Sequence, residues 1–207
     1  AMADARLIEL EPVMEGLGGI VALVVSPNDP QAMANHATEC RFRGIPFIAD
    51  PSQQLSSMDD GQIRNLLQGA AILFNNEYEA ALIHERTGLT DEQVLDMVPV
   101  RVTTLGAKGA RVEHRGEPAI EVGVAPEKEK ADPTGVGDAF RAGYLAGMAW
   151  GSPVERCAQI GATLAAYVIE TVGPQEYQFS HREFADRVGE AFGDVAGHEV
   201  AAHLGVS

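Results

Sequence analysis

Ile20-Val21-Ala22-Leu23-Val24-Val25 is a short, continuous apolar run rich in β-branched residues. That is the pattern of a strand buried on both faces, as in a parallel sheet. Asp29 followed by Pro30 reads as a helix N-cap with proline at the first helical position, and Gly44 stands where a left-handed C-cap is wanted. Ile45–Ala49 is then a second apolar run. Strand, helix and strand in this order form a βαβ unit, because parallel neighbours need a crossover of this length.

The rhythm continues outward from that unit. Asp50-Pro51 breaks the second strand, and Ser57 with Asp60 three residues later predicts the start of a helix that runs to Gly69. Ala71–Phe74 reads as a strand, Glu77–Thr87 as a helix closed by Gly88, and Thr90 with Gln93 as a capping box opening a short helix. Val100–Thr104 returns to the sheet. Ala110–His114 and Ala119–Val124 flank the turn Arg115-Gly116-Glu117-Pro118 as an antiparallel hairpin at the sheet edge. From Gly137 onward the pattern is helical, with segments near 138–149, 153–171 and 180–192 and an alanine-rich tail. With no internal repeat and no low-complexity linker, residues 1–207 read as one layered α/β domain.

Composition narrows the chemistry. Fifteen Lys and Arg against thirty Asp and Glu give a formal net charge of −15, so the basic footprint of a nucleic-acid binder is missing. A phosphate ligand meets a repulsive field and needs local dipoles or a divalent cation to bind. Cys40 and Cys157 form no Cys-x-x-Cys pair and no disulfide framework, which suits a reducing, cytoplasmic setting. No apolar run reaches the length of a membrane span, so no membrane partner is expected. The six histidines lack the spacing of a catalytic metal site. Gly16-Leu17-Gly18-Gly19 precedes its strand instead of following it, which excludes a dinucleotide fingerprint. Gly106-Ala107-Lys108-Gly109 lacks the spacing and the Ser or Thr of a Walker loop.

Ligands of such sheets bind outside the carboxyl ends of the strands, so the residues just after each apolar run carry the function. The strongest segment is Asp132-Pro133-Thr134-Gly135-Val136-Gly137-Asp138. Two glycines around one small residue, directly before a helix, let successive N–H groups converge with the helix dipole on an anion. Asp138 follows in the first turn, itself negative, and its use there is as a proton acceptor. Phosphoryl transfer to a hydroxyl needs both parts. Taken alone, Gly-x-Gly-Asp also describes a tight turn into a helix with an aspartate that favours the dipole.

The longer segment 132–145, Asp132-Pro133-Thr134-Gly135-Val136-Gly137-Asp138-Ala139-Phe140-Arg141-Ala142-Gly143-Tyr144-Leu145, resembles the C-terminal signature of the ribokinase-like (PfkB) sugar and nucleoside kinases. The resemblance implies that Asp138 is the catalytic base and that Gly135, Val136 and Gly137 form the anion hole. Asn76-Glu77-Tyr78-Glu79 is similar to the family's N-x-x-E element near magnesium and the triphosphate, which implies nucleotide binding by Asn76 and a metal role for Glu79. Thr104-Leu105-Gly106-Ala107-Lys108-Gly109 is similar to its T-x-G-x-x-G nucleotide loop, carried by Thr104, Gly106 and Gly109. The implied cofactors are Mg2+ and ATP as phosphoryl donor.

Asp50-Pro51-Ser52-Gln53-Gln54 departs from the D-P-N form frequent in the family's sugar kinases and resembles a bacterial adenosine kinase branch. Adenosine is therefore the expected acceptor, another nucleoside or a sugar the alternative, with the amides of Gln53 and Gln54 able to meet an adenine edge or ribose hydroxyls. The implied fold is a ribokinase-like α/β/α domain with a mostly parallel central sheet and an antiparallel hairpin edge. The resemblance covers the C-terminal portion of that fold, without the N-terminal strands and lid. Apolar sheet surface would then be exposed, so a homodimer is one expectation and a non-catalytic nucleotide-binding remnant another.

Overall fold

A computed structural model describes residues 2–206 of the chain, and of these the side chains from Asp4 to Val206. Six strands follow one another in chain order in a mostly parallel sheet. The chain forms two compact units: one runs up to Thr104 and takes in Glu113–Ala119, the other comprises Leu105–Val112 and continues from Ile120.

The first unit is the βα rhythm read from the sequence. After α1 (Leu10–Leu17) come β1 (Leu23–Val25), α2 (Pro30–Arg43), β2 (Phe47–Ala49), α3 (Asp60–Leu67), β3 (Ile72–Asn76), α4 (Glu77–Thr87), α5 (Asp91–Met97) and β4 (Val100–Thr104). The four strands pair in parallel, with Val24 opposite Ile48, Ile48 opposite Ile72 and Phe74 opposite Val102. Val25, Phe47, Ala49 and Leu73 of the first three strands join Met33, Leu55, Ile63, Leu66 and Ile83 in a continuous apolar core. α2 begins where Asp29 accepts a hydrogen bond from the Ala32 N–H and ends at Gly44 in the left-handed region, φ 67°. Several boundaries differ from the sequence reading: β2 begins two residues after Ile45, β3 runs on to Asn76, and α3 ends at Leu67 before Gly69. Only the last three residues of the run 20–25 pair as strand, and Val21 is 94% exposed, so apolar continuity here reports neither burial nor ladder pairing along its whole length. α3 is capped by Asp59 in a box with Gln62, two residues beyond the expected Ser57, which instead ends a 3-10 turn over Ser52–Ser57.

In the second unit, β6 (Ile120–Val122) pairs antiparallel with β5 (Ala110–His114), placing Ala110 opposite Val122. Four helices follow: α6 (Val136–Ala149), α7 (Val154–Ile169), α8 (His181–Phe192) and α9 (Asp194–Leu204), the last formed by the alanine-rich tail. Glycine sets the packing of α6 on α7. A Cβ on Gly161 would lie 2.6 Å from the Phe140 carbonyl oxygen, and one on Gly143 2.8 Å from Gly161 Cα. Backbone meets backbone along this seam. Ile160, Phe184, Val188, Ala196 and Val200 form the apolar cluster of the last three helices. Among the described residues no helix is long and apolar enough to cross a membrane.

Candidate active site

The segment 132–138 is held from both ends before it reaches α6. The Ala131 N–H donates to the Ile169 carbonyl at 2.8 Å. The Asp132 carboxylate accepts the Thr134 N–H at 2.9 Å and the Gly173 N–H at 3.2 Å, an Asx turn stapled to a second loop. Hydrogen bonds from Thr134, side chain first, and from Gly173 hold its carboxyl below the usual range, so it stays an acceptor. Gly135 lies at φ 80°, and a Cβ there would fall 2.6 Å from Pro174 Cβ, so both backbone and space demand glycine.

α6 starts with no side-chain cap. Its first helical bond runs from the Ala139 N–H to the Gly135 carbonyl at 2.9 Å, and a helix start leaves the preceding amides without an intrahelical acceptor. The Val136 N–H bonds the Pro133 carbonyl at 3.4 Å, a long bond that an anion must replace or share. The positive end of the dipole at this start suits an anion. Asp138 stands in this first turn with its side chain 79% exposed and ion-paired to Arg141, whose own side chain is only 17% exposed. The Arg141 guanidinium also lies across Gly137: a Cβ built there would be 3.4 Å from Nη1. The second unit thus gathers Gly135, Val136, Gly137, Asp138 and Arg141 at one helix start.

Gly106 and Gly109 flank a single 3-10 turn in the same unit, closed by the Leu105 N–H to the Gly109 carbonyl at 2.8 Å. Gly109, at φ 97°, admits no side chain, because a Cβ would meet the Val122 carbonyl oxygen at 2.0 Å. Gly106, at φ 58°, faces open space, which leaves its backbone approachable by a ligand. Thr104 is the half-buried last residue of β4 in the first unit.

The first unit joins Asn76 and Glu79 in a reciprocal capping box at the start of α4. The Glu79 carboxylate accepts the Asn76 N–H at 2.9 Å and the Asn76 amide at 2.8 Å, while Asn76 Oδ1 accepts the Glu79 N–H at 2.8 Å. The neighbouring Asn75 donates its amide to Thr103 Oγ1 at 3.2 Å. Among the described residues no cluster of three or more His, Cys, Asp and Glu could cage a metal. A magnesium ion keeps much of its water shell and takes one or two carboxylates, and each Glu79 oxygen retains a second lone pair. Glu79 therefore fits a metal held through water and not a closed protein cage. Gln53, exposed, and Gln54, half-buried, lie in the turn Ser52–Ser57. That turn opens on Ser52 at φ 45°, a strained left-handed conformation for a residue with a side chain.

The sequence reading misses two residues that hold the loop 132–138 and its carboxylate. Asp132 staples the loop, and an Asp before Pro and Thr is an Asx-turn signal. Arg141, three residues after Asp138, carried the i, i+3 signal of a helix-surface ion pair.

Solved structures put these parts in the class of ribokinase-fold proteins. The nucleoside kinase of Burkholderia thailandensis, in complex with ADP-inosine, matches with a TM-score of 0.87 and 30% identity over 93% of this chain and 59% of that one. Arabidopsis thaliana ribokinase, complexed with ribose and ATP, shares the fold with a TM-score of 0.65 at 19% identity, over 95% of this chain and 60% of that one. The model of the pfkB family of carbohydrate kinases matches residues 13–180, and the chain belongs to that family. A nucleoside kinase of Methanocaldococcus jannaschii is 30% identical over 61% of this chain and 41% of its own length. The adenosine kinase of Saccharomyces cerevisiae is 27% identical over 73% of this chain and 48% of its own. The chain spans about half the length of the curated relatives it matches.

Proposed function

We propose that the protein is an ATP-dependent phosphotransferase that phosphorylates the 5′-hydroxyl of a nucleoside, with adenosine as acceptor. The observation that carries this reading is the start of α6, where an exposed carboxylate stands one residue beyond a glycine-shaped loop with no side-chain cap. In this reading Asp138 takes the hydroxyl proton as the oxygen attacks the γ-phosphorus, and ADP departs with the electrons of the broken P–O bond. The amides of Gly135, Val136 and Gly137 carry the charge on the transferring oxygens.

Gly106, Gly109, Thr104 and Asn76 serve the nucleotide, and Gln53 and Gln54 the nucleoside. When bound, a magnesium ion neutralises the triphosphate charge that a chain of −15 would otherwise repel, and Glu79 with Asn76 would hold its water shell. Relatives named nucleoside, cytidine and adenosine kinases support a nucleoside acceptor, and those named ribokinase and sugar kinase make a sugar the alternative.

The test is transfer of label from γ-labelled ATP to adenosine, inosine, cytidine and ribose offered in competition. Label on adenosine above the others is the expected result. Preference for inosine or cytidine would replace the acceptor, label on ribose alone would make the protein a sugar kinase, and label on none would end the phosphotransferase reading.

A further inference from the structure

Within segment 132–141, which carries the anion loop and the proposed base, Arg141 is the sole Lys or Arg. Helical side chains lean toward the N-terminus, so a residue one turn into α6 reaches back over the turn before it. Arg141 does this: its guanidinium pairs with Asp138 Oδ1 and lies against Gly137, 3.4 Å from where a Cβ would stand. The stem is largely covered while the carboxylate it holds is open to solvent. The arrangement places a fixed positive charge beside the amides proposed to hold phosphate, in a chain whose net field opposes phosphate.

We propose that Arg141 is a catalytic residue of this site. It donates to the phosphoryl group seated on the Gly135–Gly137 loop, and its ion pair with Asp138 orients the carboxylate that receives the acceptor's proton. A planar guanidinium has five donors, enough to serve a carboxylate and a phosphoryl oxygen together. Charge that grows on the transferring oxygens strengthens its contact in the transition state, so its effect falls on turnover more than on acceptor binding.

This inference rests on the phosphotransferase reading, and three variants of the full chain separate the two. Arg141→Met keeps the apolar stem and removes the charge, Arg141→Lys keeps the charge and loses the fork, and Asp138→Asn tests the base. With folding checked by thermal melts, Arg141→Met should lower kcat by about 100-fold while leaving the nucleoside KM within about twofold. Arg141→Lys should recover about a tenth of native turnover, since the charge alone returns. If Asp138→Asn abolishes transfer while Arg141→Met turns over within about threefold of native, the inference falls and the reading stands. Equal kcat for the Lys and Met variants would also overturn the inference, as neither charge nor donors would matter. If neither Asp138→Asn nor Arg141→Met slows transfer, both fall.

Discussion

Two helices of this chain begin in opposite ways. α4 closes its own start: Asn76 and Glu79 satisfy one another's N–H groups, and the Glu79 side chain is buried in doing so. α6 begins at Gly135 with no side-chain cap and an exposed Asp138 in its first turn. The first arrangement lowers the free energy of the folded chain. The second forgoes a cap, which elsewhere contributes about 1 kcal/mol, and leaves amides able to meet a ligand. One acidic first turn is thus closed by its own side chains, and the other leaves its carboxylate to solvent.

The contrast breaks most severely at Gly135. Gly135→Val forces a β-branched residue to φ 80° and into Pro174, so the loop must move. Nucleotide affinity and turnover should both fall, turnover by about 1000-fold or more, read by calorimetry and steady-state kinetics. Gly161→Val attacks the seam behind the same helix, where a Cβ already falls 2.6 Å from the Phe140 carbonyl. A loss of about 3 kcal/mol or more in urea unfolding is expected, since backbone and not a side chain must yield.

At α4 the sign of the experiment changes. Glu79→Gln loses the charge that favours the N-terminus and sets its amide NH2 against the Asn76 NH2, two donors where the carboxylate accepted, so stability should drop by about 1–2 kcal/mol. If Glu79 also holds the metal's water shell, the KM for magnesium–ATP rises, and a stability loss without that rise would confine Glu79 to capping. The smallest effect concerns acid. The Arg6 guanidinium hydrogen-bonds Asp29, the cap of α2, and holds its carboxyl down at about 2 from an ordinary 3.8. A depressed carboxylate stabilises the fold above its unfolded value, and that contribution disappears as pH falls from about 4 to about 2. Arg6→Ala should lower stability slightly at pH 7, where the solvent-screened pair is charged, and leave it unchanged below about pH 2, as read by urea unfolding at the two pH values.

Much of the fold was legible because local signals and tertiary pairing agree. Gly88 closes α4 where the sequence places its end, and the Thr90–Gln93 capping box opens α5 at Asp91. Legibility failed where the deciding partner is remote in sequence. β1 is cut to three residues by its register with Phe47–Ala49, and nothing in the run Ile20–Val25 encodes that. The α6–α7 seam depends on glycines in different helices meeting across an interface, which a single helical pattern cannot announce. In the site, the Gly-x-Gly-Asp motif located the loop, but its stapling through Asp132 to Gly173 spans 41 residues. Arg141 sat in the quoted motif and became visible only through its pairing geometry.

The most direct test pairs binding with turnover in Asp138→Asn. An amide preserves the shape of the first turn but cannot take a proton, so ATP should bind with native affinity while phosphorylated nucleoside forms at least about 1000-fold more slowly. Native turnover by this variant would contradict the account.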